Sequence, residues 1–166
     1  MKKIVVLLIA LGSILISNAQ EKEFTDEALN DVFLDLEGNE VTFASVLEKH
    51  KGKKIVIDIW ASWCGDCRKG LPKLKELQEN NTDVQFVFLS LDRSVDKWKS
   101  GIDKFDLTEG DHYYIQAGWK GSAFCSSIDL DWIPRYMVVD ADGEIALFKA
   151  IVANDKKLIN ILKITQ

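Results

Sequence analysis

Cys64 and Cys67 are the residues whose type and spacing point most directly to chemistry. Two thiols separated by two residues lie one helical turn apart and can cycle between dithiol and disulfide. A bridge closing so small a loop restricts little of the unfolded chain, so a structural staple explains the pair poorly. Half of a zinc site is the next reading, and a structural zinc needs four ligands, with a second Cys or His pair at similar spacing. The remaining candidates, Cys125, His50 and His112, are isolated from one another in sequence. Cys67 is followed by Arg68, so the haem-attachment pattern is missing as well. Redox exchange is what remains.

The elements that must position the thiols can be read around them. Ile55 to Trp60 is an apolar, β-branched run, which predicts a buried strand ending just before the cysteines. A helix starting near Cys64 follows, with Leu71, Leu74 and Leu77 on one stripe, Pro72 kinking it and Asn80-Asn81 ending it. Val84 to Leu91 predicts a second buried strand, which completes a βαβ unit with a right-handed crossover. An ordinary thiol, with a pKa near ~8.5, is mostly protonated at neutral pH. At a helix N-terminus, unpaired N–H groups favour the thiolate, so Cys64 is placed as nucleophile and Cys67 as resolving thiol. Asp66 between them disfavours the Cys64 thiolate and weakens the reduced form, which predicts a reductant. It also occupies the first helical turn, where an acid is stabilising in its own right.

The rest of the chain supplies a frame. Val32–Leu36 and Glu40–Thr42 predict a hairpin, and Thr42 a cap for a helix that stops at Gly52. His50 is expected at the solvated end of that helix, and Glu21 to Asn30 as a loosely held lead-in. Ser94 caps a helix with Val95, Trp98, Ile102 and Phe105 on one face. His112 to Ile115 predicts a short strand with His112 at its exposed edge, and Trp119 to Ile128 a poorly patterned helix carrying a buried, inert Cys125. Ile133 to Val139 enters a strand, Asp140-Ala141-Asp142-Gly143 turns it, and Glu144 to Ile151 returns. Asn154 is expected to cap a last helix with Leu158, Ile161 and Leu162 inward.

The run Asp58-x-Trp60-Ala61-x-Trp63-Cys64-Gly65-x-Cys67 resembles the thioredoxin active site. Pro72 falls where thioredoxins carry their helix-kinking proline, and Ile133-Pro134 resembles their Ile–cis-Pro element. A hairpin-helix lead-in and a long stretch before Pro134 look more like the TlpA/ResA-type thiol-disulfide oxidoreductases, from about Asp31 onward. The resemblance implies an α/β thioredoxin-like fold: a central mixed sheet flanked by helices, βαβ then ββα, with a helical insertion before the cis-proline. It implies a redox-active Cys64–Cys67 disulfide, with Cys64 attacking and Cys67 resolving. Asp58 would be the buried acid that exchanges a proton with Cys67; the plainer reading is a strand-end carboxylate reaching solvent. Trp63, Gly65, Asp66, Ile133 and Pro134 would meet the substrate, and Trp60 and Trp63 serve packing equally well. Arg135 would put a cation beside the substrate groove. No cofactor or metal is implied.

The 166 residues, 47% hydrophobic, can bury one core. Lys2 and Lys3, the apolar run Ile4 to Ile16 and Ser17-Asn18-Ala19 describe a signal peptide at 1–19, ahead of a lead-in at 20–30 and one domain at 31–166. A retained anchor is the rival, but the run falls short of the ~20 residues of a spanning helix. The expected location is therefore outside the cytoplasm, the periplasm first. Net charge is −5 with no basic cluster, so nucleic acid is not an expected partner. Expected partners are disulfide-containing exported proteins, apocytochromes c being one class the resemblance offers, and a thiol-transporting electron donor in the membrane; the protein is expected to be a monomer. Other readings are a disulfide isomerase or oxidant, a peroxide reductase, and a non-catalytic thioredoxin-fold binding module.

Overall fold

A computed structural model of the chain describes residues 23–163. The expected signal peptide at 1–19 lies outside the described residues. At the centre is β3 (Ile55–Trp60), buried at all six positions because both sheet faces are covered. It pairs in parallel with β4 (Gln85–Ser90) and antiparallel with β6 (Arg135–Val139). The crossover between β3 and β4 is α3 (Gly65–Glu79), which buries Cys67, Leu74 and Leu77 and contains Pro72. Outward on the β4 side come β5 (Asp111–Ile115), β1 (Val32–Leu34) and β2 (Glu40–Thr42); on the β6 side comes β7 (Ile145–Ala150). The seven strands run β2-β1-β5-β4-β3-β6-β7 in one mixed sheet, the architecture the βαβ and ββα patterns predict.

Local chemistry sets the helix starts. Thr42 Oγ1 accepts from Ser45 N to open α2 (Phe43–Lys49), and Ser94 Oγ accepts from Lys97 N to open α4 (Val95–Phe105). α4 buries Trp98 and Ile102 and approaches the sheet so closely that a Cβ on Gly101 would lie 2.7 Å from Ser62 Cβ. Only glycine fits there without displacing the turn that carries Ser62. The expected helix at 119–128 is two short ones, α5 (Gly118–Gly121) and α6 (Ala123–Ser127), the second capped by Ser122. The last helix, α7 (Lys156–Lys163), is capped by Asp155 rather than Asn154, since Asp155 Oδ1 accepts from Lys157 N at 2.7 Å.

Three expectations of exposure are overturned by partners remote in sequence. Residues 23–30 are not a loose lead-in: Thr25 caps α1 (Asp26–Leu29), Ala28 is buried, and Phe24 packs edge-on to Phe43 at 4.8 Å. Phe124 joins the same aromatic cluster. His50 is buried at the end of α2, with Nε2 2.8 Å from Asp111 Oδ2, which also accepts from Lys49 Nζ. Burial raises the Asp111 carboxyl, but the bonds from Lys49 and His50 outweigh it and hold its pKa below the usual range. His112 lies on an interior strand, not at an edge, because β1 covers the outer side of β5. Its ring stacks on its cross-strand neighbour Phe88 at 4.6 Å, and neither ring nitrogen makes a hydrogen bond of good geometry.

Burial pushes the His112 pKa down to about 4. Its unfolded value is near ~6.5, so in the window between the two the unfolded chain binds the extra proton. Stability supplied by neutral His112 is full above about pH 6.5 and is lost as pH falls toward 4, by up to roughly 3 kcal/mol. His112→Phe, which keeps a ring on Phe88, should be stabilised at pH 4 relative to the wild type, compared with the same difference at pH 7, by up to roughly 3 kcal/mol in urea denaturations. An equal difference at the two pH values would place the acid sensitivity elsewhere.

Candidate active site

Cys64 is the N-cap of α3 and Cys67 sits in its first turn, so the strand's end and the helix's start fix the pair. The two sulfurs form a disulfide with Cα atoms 5.3 Å apart, and Cys67 N donates to Cys64 Sγ at 3.0 Å. In the dithiol state the same N–H, with the other free donors of the first turn, faces Cys64 and favours its thiolate. Gly65 and Asp66 are exposed beside the disulfide. Asp66 Oδ1 lies 3.2 Å from Lys69 Nζ, and Arg68 Nη2 would lie 4.0 Å from a Cβ on Gly65, so the exposed guanidinium stands beside the turn between the two cysteines.

Asp58 is in the middle of β3, 3% exposed, and its Oδ1 has no hydrogen-bond partner. The reading of a strand-end carboxylate reaching solvent is therefore excluded. Register pairs Asp58 with Tyr136 across β3 and β6, so the two side chains leave the same face. The Tyr136 hydroxyl comes 3.7 Å from the Cβ position of Gly70 in α3. This is the face that the cysteine helix covers. Burial raises the Asp58 pKa to about 8, and both burial and the Asp58 charge push the Tyr136 phenol well above its ordinary value.

The Ile133-Pro134 peptide is cis, and the Ile133 carbonyl oxygen lies 3.6 Å from Cys64 Sγ. Two segments 69 residues apart in sequence thus meet at the disulfide. Arg135 does not put a cation beside a groove: it is fully buried and donates to the carbonyls of Ile128 and Asp129 and to Asp131 Oδ1. Its backbone pairs opposite Ile59, and the guanidinium turns inward to satisfy the carbonyls of the preceding loop. Trp60 is a packing residue, whereas Trp63 is 48% exposed, with its Nε1 donating to Leu91 O at 3.3 Å.

Sequence reasoning missed Asp92. Its buried carboxylate accepts from Ser62 N at 3.0 Å, Ser62 Oγ at 2.5 Å and Ser90 Oγ at 3.0 Å, stitching the turn before Cys64 to the end of β4. Serine and aspartate just past a strand read as ordinary loop chemistry, so nothing local marked them. Cys125 is buried as expected, and burial pushes its thiol up to about 11, which leaves it protonated. Among the described residues no group of His, Cys, Asp or Glu side chains is arranged to hold a metal.

A sheet of this order with a dithiol at a helix start and a cis-proline facing it defines a thioredoxin-type redox domain. A family model described as thioredoxin-like matches residues 52–145, and the chain belongs to that family. It is similar to the thiol-disulfide oxidoreductase ResA of Bacillus cereus, 24% identical over 152 residues, covering 86% of this chain and 83% of the relative. Among solved structures, the thioredoxin domain of a thiol-disulfide oxidoreductase from Bacteroides vulgatus aligns with a TM-score of 0.65 at 25% identity, covering 80% of this chain and 89% of that one. A solution structure from the same organism aligns with a TM-score of 0.63 at 32% identity, covering 79% and 82%. The protein is a thiol-disulfide oxidoreductase of the thioredoxin-like family, with ResA-type relatives.

The Asp58 shift has a consequence for folding. Between its unfolded pKa near ~4 and its native value of about 8, the native protein holds a proton that the unfolded chain releases. Stability therefore falls as pH rises through that window, by an upper value of roughly 5 kcal/mol. Asp58→Asn should remove the fall, with urea midpoints of the oxidised protein nearly equal at pH 7 and pH 9, a range in which His112 is neutral in both states. A variant that keeps the wild-type loss would contradict the assignment.

Proposed function

We propose that the protein works outside the cytoplasm as a protein-disulfide reductase, with Cys64 attacking, Cys67 resolving and Asp58 handling the proton. The observation that carries this reading is the buried Asp58 carboxyl on the sheet face covered by the cysteine helix, with a pKa of about 8. The Cys64 thiolate attacks a substrate disulfide, forming a mixed disulfide and releasing one substrate thiolate. Cys67 then gives its proton to the Asp58 carboxylate, directly or through water, and attacks the Cys64 sulfur. The second substrate sulfur leaves, two electrons have passed to the substrate, and Cys64–Cys67 is a disulfide again. A base that titrates near neutrality suits this transfer in both directions. Trp63, Gly65, Asp66, Ile133 and Pro134 would receive the substrate, whose extended backbone would pair along Ile133, the residue whose carbonyl lies 3.6 Å from Cys64 Sγ.

Reduction rather than oxidation is supported by the charges near the dithiol. Asp66 places a carboxylate between the two cysteines, with Lys69 Nζ 3.2 Å from its Oδ1 as its partial counter-charge. A thiolate in such surroundings is less stabilised, the reduced form is weakened, and the dithiol gives up electrons more readily. Export is supported by Lys2, Lys3, the apolar run Ile4 to Ile16 and the small residues that follow. Among the described residues no helix is long and apolar enough to cross a membrane. The substrates would be disulfide-containing exported proteins, and the electrons would come from a thiol-transporting donor in the membrane.

Insulin reduction should be abolished by Cys64→Ser. Asp58→Asn should slow resolution at least about tenfold and let the mixed disulfide accumulate, in line with the loss of a general base. Redox titration should give a potential below about −230 mV, toward the thioredoxin end of the known range, and Asp66→Pro should make it less negative. A value above about −180 mV would instead indicate an oxidant or isomerase. Cys67→Ala should trap clients as mixed disulfides for identification by mass spectrometry.

A further inference from the structure

Arg135 is the most completely buried cation among the described residues, with its side chain fully out of solvent, and it directly follows the cis-proline. Nη1 donates to Ile128 O at 3.1 Å, and Nη2 to Asp129 O at 3.4 Å and Asp131 Oδ1 at 2.5 Å, while Nε has no partner. All of its acceptors belong to residues 128–131, the stretch that leads straight into Trp132, Ile133 and Pro134. The same stretch is tied twice more: Trp119 Nε1 donates to Leu130 O at 3.0 Å, and Lys149 Nζ on β7 pairs with Asp131 Oδ2. Asp129 turns the chain there in a left-handed conformation, φ 47°, which aspartate adopts more readily than most non-glycine residues.

Burying a guanidinium is expensive, and an apolar residue at the start of β6 would serve the sheet at lower cost. What an apolar residue lacks is a rigid fork of donors that can hold several carbonyls of one loop at once. The far end of that loop is the Ile133 carbonyl, 3.6 Å from Cys64 Sγ. Where this backbone stands relative to the reacting sulfur is thus set by the anchorage of residues 128–131.

We propose that Arg135 is a positioning residue for peptide substrates: by tying the 128–131 loop it holds the Ile133-Pro134 backbone at a fixed place beside Cys64, where an extended disulfide-bearing chain is received. The inference rests on the reading of Ile133 and Pro134 as the surface that receives the substrate backbone. A small aromatic disulfide needs only the sulfur, whereas a polypeptide disulfide needs the loop as well. Loosening the loop therefore weakens the second class of substrate and spares the first.

The test compares a synthetic cystine-bridged peptide with a small aromatic disulfide as substrates of the full chain. Arg135→Lys keeps the charge but loses the fork, and should raise KM for the peptide about tenfold, a misplacement-sized effect. The kcat for the peptide at saturation and the rate with the small disulfide should each stay within about twofold. Equal losses on both substrates would mark Arg135 as a purely structural residue and overturn the proposal. Pro134→Ala separates the two layers: if it raises the peptide KM and Arg135→Lys does not, the Arg135 proposal fails alone. If neither variant changes it, the reading of Ile133-Pro134 fails and this proposal with it. Should Arg135→Lys not fold, Asp131→Ala removes one exposed partner of the fork and should raise the peptide KM about threefold, and an unchanged KM overturns the proposal.

Discussion

A carboxyl with an unpartnered oxygen, in the middle of a strand that water does not reach, is the constraint on which the site depends. β3 must be apolar to seed the sheet, and Asp58 is the one acid within it. In water the group would be ionised; under α3 it is held to a pKa of about 8. The same absence of partners that weakens the fold keeps the group able to exchange protons near neutrality. A hydrogen-bonded, satisfied aspartate such as Asp92 would suit the fold better and would serve proton transfer less well.

Topology decides what stands around that carboxyl. β3 and β4 run in parallel, so their C-terminal ends share one edge, and β6 runs antiparallel, so its beginning arrives at the same edge. Ser62 to Cys67, Ser90 to Asp92 and Ile133 to Arg135 are therefore neighbours in space although they come from three parts of the chain. Two ionic groups fix this edge from opposite sides. Asp92 gathers the donors of Ser62 and Ser90 ahead of the cysteines, and Arg135 gathers the carbonyls ahead of the cis-proline. Between these two anchored turns stand the disulfide and the exposed indole of Trp63.

Much of this could be read from residues that act on their near neighbours. The β-branched run at 55–60, the leucines spaced along 71–77, Thr42 and Ser94 as caps and the Asp140–Gly143 turn all act over a few residues, and each element formed where its pattern lay. The dithiol and the two prolines were legible for the same reason, since spacing within one helical turn or at a strand's first residue is local information. His50, His112 and Arg135 were misjudged because histidine and arginine are usually exposed, and the Asp111 carboxylate, the Phe88 ring and the Ile128 and Asp129 carbonyls that bury them lie beyond any local window. The helix at 26–29 was missed because it is too short to show periodicity and is held by Phe43 and Phe124.

The sequence by itself determined the strand-to-helix unit that presents two thiols at a helix start, because hydrophobic period, capping and cysteine spacing are properties of adjacent residues. Only the tertiary structure decided that Asp58 is unpartnered and titrates near neutrality, that Asp92 and Arg135 anchor the two turns, and that the Ile133 carbonyl stands beside Cys64. Those properties depend on burial and on contacts across the sheet, which exist only once the chain has folded.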